Sequence, residues 1–261
     1  MPRNEFAESL SMLAELEGDA RSADAAIEQL RLVEDYAMLI SDGPARASAR
    51  YNLGRALAVK ASIEGSPAAL DEATDWLERS LEDRGLRDRS DAHVASHVAL
   101  ARVERMRVHL AADDDEALRW YRSAIRRGRE LRATAAGSIH RQDVGRLAVE
   151  VAGAAIVAMR RGIEPARAAA VVWLDVAREH LTREEHPLDF AHLVLLEALH
   201  ERARFSLDPV RASIHRERAR EALVTAASIF PRSQVRRLHD TIDVELAWWA
   251  DHGTDPDATN D

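Results

Sequence analysis

One short pattern, which the chain repeats, constrains its fold more than any other feature: a small residue, a bulky apolar residue four positions on, and a small or apolar residue three further on. Ala117, Tyr121 and Ala124 carry the fullest copy, Ala73, Leu77 and Ser80 an upstream one, and Ala170, Leu174 and Ala177 a downstream one. Weaker copies are Ala26, Leu30, Val33 and Ala219, Leu223, Ala226. Spacings of four and seven place all three residues on one face of an α-helix. The small residues let a neighbouring helix approach closely, and the large one fills the groove between them. Trp76, Trp120 and Trp173 each stand three residues after the first alanine of a central copy. A side chain recurring at one repeat position is expected in the packing rather than in a stacking ladder for bases.

Composition sets the fold class. With 11 glycines and 8 prolines in 261 residues, and Ala, Leu, Glu and Arg dominant, summed helix propensity is high almost everywhere. The chain is expected to be all-α. Helices are read over about 4–17, 22–40, 44–63, 67–82, 92–110, 114–131, 142–161, 164–181, 188–205, 209–229 and 233–251. Asn4 and Ser22 are the expected N-caps of the first two, and Pro44 opens the third. Every second helix carries the pattern, the signature of an α-solenoid of about five helical hairpins. A final helix with Val235, Leu238, Ile242, Leu246 and Trp249 on one side is expected to cap it. Residues 1–252 are read as a single domain with a sub-boundary near 133–141, and 253–261 as a disordered acidic tail.

These residues resemble the tetratricopeptide repeat. The second helix of that family carries a small residue, an aromatic or leucine four on and a small residue three further, matched by the copies above. Pro231 stands where a proline closes the family repeat, and Leu53-Gly54 resembles the leucine-glycine pair of its first helix. The stretch 51–81 is most similar to the long-hairpin bacterial repeats that accompany CHAT-type proteases, and 115–128 is similar to Sel-type repeats. The resemblance implies a scaffold or adaptor that binds a peptide or protein in a groove lined by the first helices. By family geometry Tyr51, Arg55, His93, Ser96 and Glu104 are the implied groove residues.

Charge narrows the partner classes. The net charge of −9 is uneven: residues 1–40 hold 9 acids and 3 bases, and 251–261 hold 4 acids and no base. Nucleic acid is thus an unexpected partner, apart from one basic stripe of Arg119, Arg122, Arg126 and Arg129 at spacings of three and four. That stripe keeps open the reading of a phosphate or nucleic-acid binder, and a helical array whose curvature changes on binding keeps open that of a regulatory receptor for a small ligand or signalling peptide. The absence of cysteine, of a signal-like start and of any long apolar run leads to a cytoplasmic expectation without membrane contact.

Chemistry is sparse. His93 and His97 share a helix face four residues apart, but a zinc site needs further donors that are not evident. Glu197 and His200 have Glu-x-x-His spacing without the second copy that a di-metal bundle requires. No phosphate loop or nucleophile elbow is present, so no enzyme, metal or cofactor is expected. Trp248 and Trp249 point about 100° apart on a helix, which makes one of them a candidate homodimer contact.

Overall fold

A computed structural model describes residues 2–84, 91–134 and 141–252, and these form eleven α-helices and one 3-10 turn with no strand among them. The order is α1 (Pro2–Glu17), α2 (Ala20–Leu39), α3 (Gly43–Glu64), α4 (Pro67–Arg84), α5 (Asp91–Leu110), α6 (Asp114–Thr134), α7 (Arg141–Arg160) and α8 (Pro165–His180). It continues with α9 (Pro187–Leu207), the 3-10 turn Pro209–Arg211, α10 (Ala212–Ala227) and α11 (Arg236–His252). The protein is therefore all-α. Among the described residues no helix is long and apolar enough to cross a membrane. The acidic tail read at 253–261 lies outside the described residues.

Local chemistry explains where the helices begin and end. Asp42 caps α3 by accepting from the Ala45 N–H at 2.9 Å, with Pro44 in the first turn, satisfying amides that no upstream carbonyl can reach. Gly65 closes α3 with φ +65°, and its N–H bonds the Ala61 carbonyl, a conformation that costs other residues a steric penalty. Two expected caps are corrected. Asp19, not Ser22, caps α2, taking the Arg21 and Ser22 amides at 3.1 Å each; a carboxylate offers both oxygens where a hydroxyl offers one. Helix α1 already begins at Pro2, and Asn4 instead accepts from the Asn52 amide at 3.1 Å.

The chain divides into two compact units, Met1–His180 and Leu181–Asp261. The sub-boundary expected near 133–141 falls largely outside the described residues, and α7 beyond it packs on both α5 and α6 before it.

In the first unit successive helices pair, and the odd helices also touch one another: α1 with α3, α3 with α5, and α5 with α7. The even helices α2, α4 and α6 each lie against two odd neighbours, while the Cα atoms of α2, α4, α6 and α8 stay more than 8 Å from one another, so these helices meet only through side chains. The repeated pattern supplies these contacts. Every pattern position on α2, α4, α6 and α8 is buried, as are Ala219, Leu223 and Ala226 in the second unit. Gly54 shows how close the approach is: a Cβ there would stand 2.6 Å from Leu77 Cγ and 3.0 Å from the Ala73 carbonyl. Gly128 likewise makes room for the Trp173 ring, 2.8 Å from where its Cβ would be. Of the other tryptophans at this position, Trp76 stacks under Arg79 at 5.0 Å and Trp120 under Arg107 at 4.2 Å. Arg107 also reaches Asp71 at 2.6 Å, so these rings cover cations at the surface of the packing.

In the second unit α9, α10 and α11 pack together. Val235, Leu238, Ile242 and Trp249 are buried, whereas Leu246 is 37% exposed. Its expected place in the core is taken by Glu245, 5% exposed and bound to Arg202 at 2.6 Å.

Candidate functional site

Helix α6 is strongly two-faced. Ala117, Tyr121, Ala124 and Ile125 are buried, and Arg119, Arg122, Arg126 and Arg129 are all exposed. None of the four forms an ion pair with a described residue, and the one hydrogen bond among them is a long 3.4 Å contact from Arg126 to Ser123 Oγ. Other arginines of the first unit are paired, among them Arg46 and Arg50 with Asp83, Arg50 with Glu34, and Arg102 with Glu15. The stripe thus gathers four exposed guanidinium groups without an acidic partner on one helix face.

Beside the stripe lies a cleft of about 330 Å³ between α6 and the start of α8. Its lining combines Arg122, Arg126 and Arg129 with Leu118, Tyr121, Ile125 and Pro165, and Glu130 is the single acid. The cleft exists because the backbones of α6 and α8 stand apart, each held by α7, and only side chains bridge them. Tyr121 anchors the far wall by donating its hydroxyl to the Pro165 carbonyl at 3.2 Å. Burial raises the Tyr121 pKa while Arg129 opposes that rise, so the phenol stays a neutral donor. An apolar floor rimmed by unpaired guanidinium groups suits a ligand carrying carboxylate or phosphate next to apolar surface.

A second cleft of about 490 Å³ lies among α2, α3 and α4, lined by Asp24, Glu28, Arg31, Leu32, Lys60, Glu64 and Glu72 among others. Its cations are already engaged, Arg31 with Glu72 at 2.8 Å and Lys60 with Asp24 at 2.6 Å.

The groove residues implied by the resemblance do not share one face. Tyr51 and Arg55 are half-buried on α3, with the Arg55 guanidinium 5.6 Å above the Tyr51 ring and 3.7 Å from Glu8 of α1. Ser96 and Glu104, expected to be exposed, are instead 0% and 4% exposed. Ser96 donates to the Ala92 carbonyl and sits 3.5 Å from Ser80 of α4. Glu104 accepts two-pronged bonds from Arg127 and a third from Ser123, both on α6. The reason is the rotation of α5, whose Arg102 and Arg105, rather than Ser96 or Glu104, meet the other odd helices: Arg102 pairs with Glu15 and Arg105 with Glu150. Nothing in a helix buried on several sides announces that rotation from the sequence.

The histidine pair is also absorbed. Arg127 donates to His97 Nδ1 at 3.2 Å, and His97 Nε2 lies 3.1 Å from His93 Nε2. A guanidinium can only donate, so His97 carries its proton on Nε2 and passes a hydrogen bond to His93. With both ring nitrogens committed, His97 offers no lone pair to a metal on that face. Burial first, then the Arg127 charge, lowers its pKa to about 4. Among the described residues no group of three metal-ligating side chains occurs; His200, of the Glu197 motif, is buried.

Of the tryptophan pair, Trp249 is buried against Phe205 with ring centroids 5.2 Å apart. Trp248 is half-buried, with Arg202 4.1 Å over its ring and His252 stacked on it at 4.4 Å. Much of its ring is therefore covered from within the chain.

Comparison with protein-family models and with curated proteins gives no match.

Proposed function

We propose that this protein is a cytoplasmic adaptor built from helical hairpins of the tetratricopeptide kind, each hairpin a repeat and α11 a cap. It acts by binding an acidic, partly apolar segment of a protein partner in the cleft between α6 and α8, not by chemistry. The repeat reading is supported by the burial of every copy of the pattern and by the odd-to-odd helix contacts of the first unit. The observation that carries the binding reading is the exposed row of arginines without acidic partners along an apolar cleft. An extended nucleic acid fits this surface less well, because Asp114, Asp115, Glu116 and Glu130 border the stripe and the chain is acidic overall.

The test is a fluorescence-anisotropy titration with a labelled peptide that alternates Asp or Glu with Leu, against its lysine-substituted counterpart. The acidic peptide is expected to bind, more weakly as salt rises, and Arg122→Glu with Arg126→Glu to cost at least about tenfold in affinity, or 1.4 kcal/mol. Equal binding of both peptides, or binding indifferent to the arginine changes, would overturn the reading.

A further inference from the structure

We propose that one partner received by this cleft is a second copy of the chain, which presents the outer face of its α2. The inference rests on the reading that the cleft takes an acidic, partly apolar segment, and it names that segment.

The outer face of α2 has the required chemistry. Glu28, Leu32, Asp35, Tyr36 and Leu39 are all exposed, Leu39 to 83%. Their spacings of three, four and seven put them on one stripe. Neither Glu28 nor Asp35 forms an ion pair with a described residue. The cation nearest them in sequence, Arg31, is held by Glu72 at 2.8 Å. Large apolar side chains left exposed beside acids mark a surface that gains from being covered.

Register and charge then match the two surfaces. Glu28 and Asp35 are seven residues apart, about 10.5 Å along a helix axis. Arg119 and Arg126, and Arg122 and Arg129, are separated by the same seven residues, so two acids of one helix can meet two arginines of the other. In that register Leu32, Tyr36 and Leu39 face the floor formed by Leu118, Ile125 and Pro165. The acidic excess of residues 1–40, 9 acids against 3 bases, gives a long-range attraction of the same sign. Because each copy carries both patches, two copies can pair them reciprocally across a two-fold, or further copies can add head to tail.

Sedimentation velocity over a range of concentrations and salt tests this. The wild-type chain is expected to associate progressively with concentration and to dissociate as salt rises. Glu28→Arg with Asp35→Arg, and separately Arg122→Glu with Arg126→Glu, should each leave a monomer with unchanged circular dichroism. Mixing the two variants should restore association, since each then offers the charge the other lost. If either charge reversal disturbs folding, the amide variants Glu28→Gln with Asp35→Asn, and Arg122→Gln with Arg126→Gln, replace it; each should be monomeric alone, and their mixture should stop at a one-to-one complex. A wild-type chain that stays monomeric at every concentration, association that survives both changes, or a mixture without complex would overturn the proposal. Acidic-peptide binding by a monomeric wild type would sink the self-partner alone; failure of both would sink the cleft reading as well.

Discussion

At single residues, the tightest constraints are where a hydrogen replaces a side chain. At Gly54 and Gly128 an added Cβ meets the Leu77 side chain and the Ala73 carbonyl, or the Trp173 ring, and in neither place can the neighbour move without disturbing a buried helix pair. Gly54→Ala and Gly128→Ala are each expected to destabilise by about 1–3 kcal/mol in urea unfolding, despite the better helix propensity of alanine. At Gly153 the atom met is Arg105 Cδ at 2.4 Å, part of a flexible side chain, so Gly153→Ala should cost distinctly less. His97 gives a pH prediction. Its folded pKa of about 4 lies below the ordinary 6.5, so its contribution is complete above the unfolded value and is lost as pH falls through about 4. Asparagine keeps an acceptor for Arg127 but does not titrate. The stability difference between wild type and His97→Asn should therefore shift against the wild type between pH 6.5 and 4, and a difference constant with pH would contradict the assignment.

Among the elements, what could be read from sequence depended on how many sides of a helix are covered. Helix α6 has one buried face and one solvated face, so both the seam of Ala117, Tyr121 and Ala124 and the opposed arginines were legible from spacing alone. Helix α5 touches α3, α4, α6 and α7, and buries Val94, Ser96, Leu100, Val103, Glu104 and Val108. With no broad polar face there is no phase to read, and Ser96 and Glu104 were placed on the wrong side. Their polarity misled because each finds its hydrogen bonds inside the packing rather than in water. The cleft was illegible for a related reason: spacing orders residues on one helix but does not show that α6 and α8 stand apart. Tyr121 tests the join between those two helices. Tyr121→Phe removes the bond to the Pro165 carbonyl and leaves the ring in place, with an expected loss of about 1 kcal/mol in chemical denaturation. A larger loss would mean that the hydroxyl supports more than this one contact.

For the whole molecule, the all-α class was legible while the division into units was not, since the pattern runs through α8 and reappears in α10 without marking the break at His180. The first unit has a self-contained core in which Leu30, Leu53, Leu57, Leu70, Leu77, Leu100 and Val103 belong to one buried cluster. Each of its helices also has a packing partner inside the unit. Residues 1–180 produced alone are therefore expected to give a helical circular-dichroism spectrum and a single cooperative melt. A broad, non-cooperative transition would show that this core is incomplete without the rest of the chain.

Lys60, held 2.6 Å from Asp24 and raised in pKa first by that hydrogen bond, is the only lysine, and the chain has no cysteine. For chemical probing the molecule is thus almost a blank sheet. Amine-reactive reagents find one side-chain target, and that target is protonated under ordinary labelling conditions. A single cysteine introduced at an exposed site such as Ala133 would be the sole thiol, so a fluorophore or spin label placed there reports without background on whatever enters the neighbouring cleft.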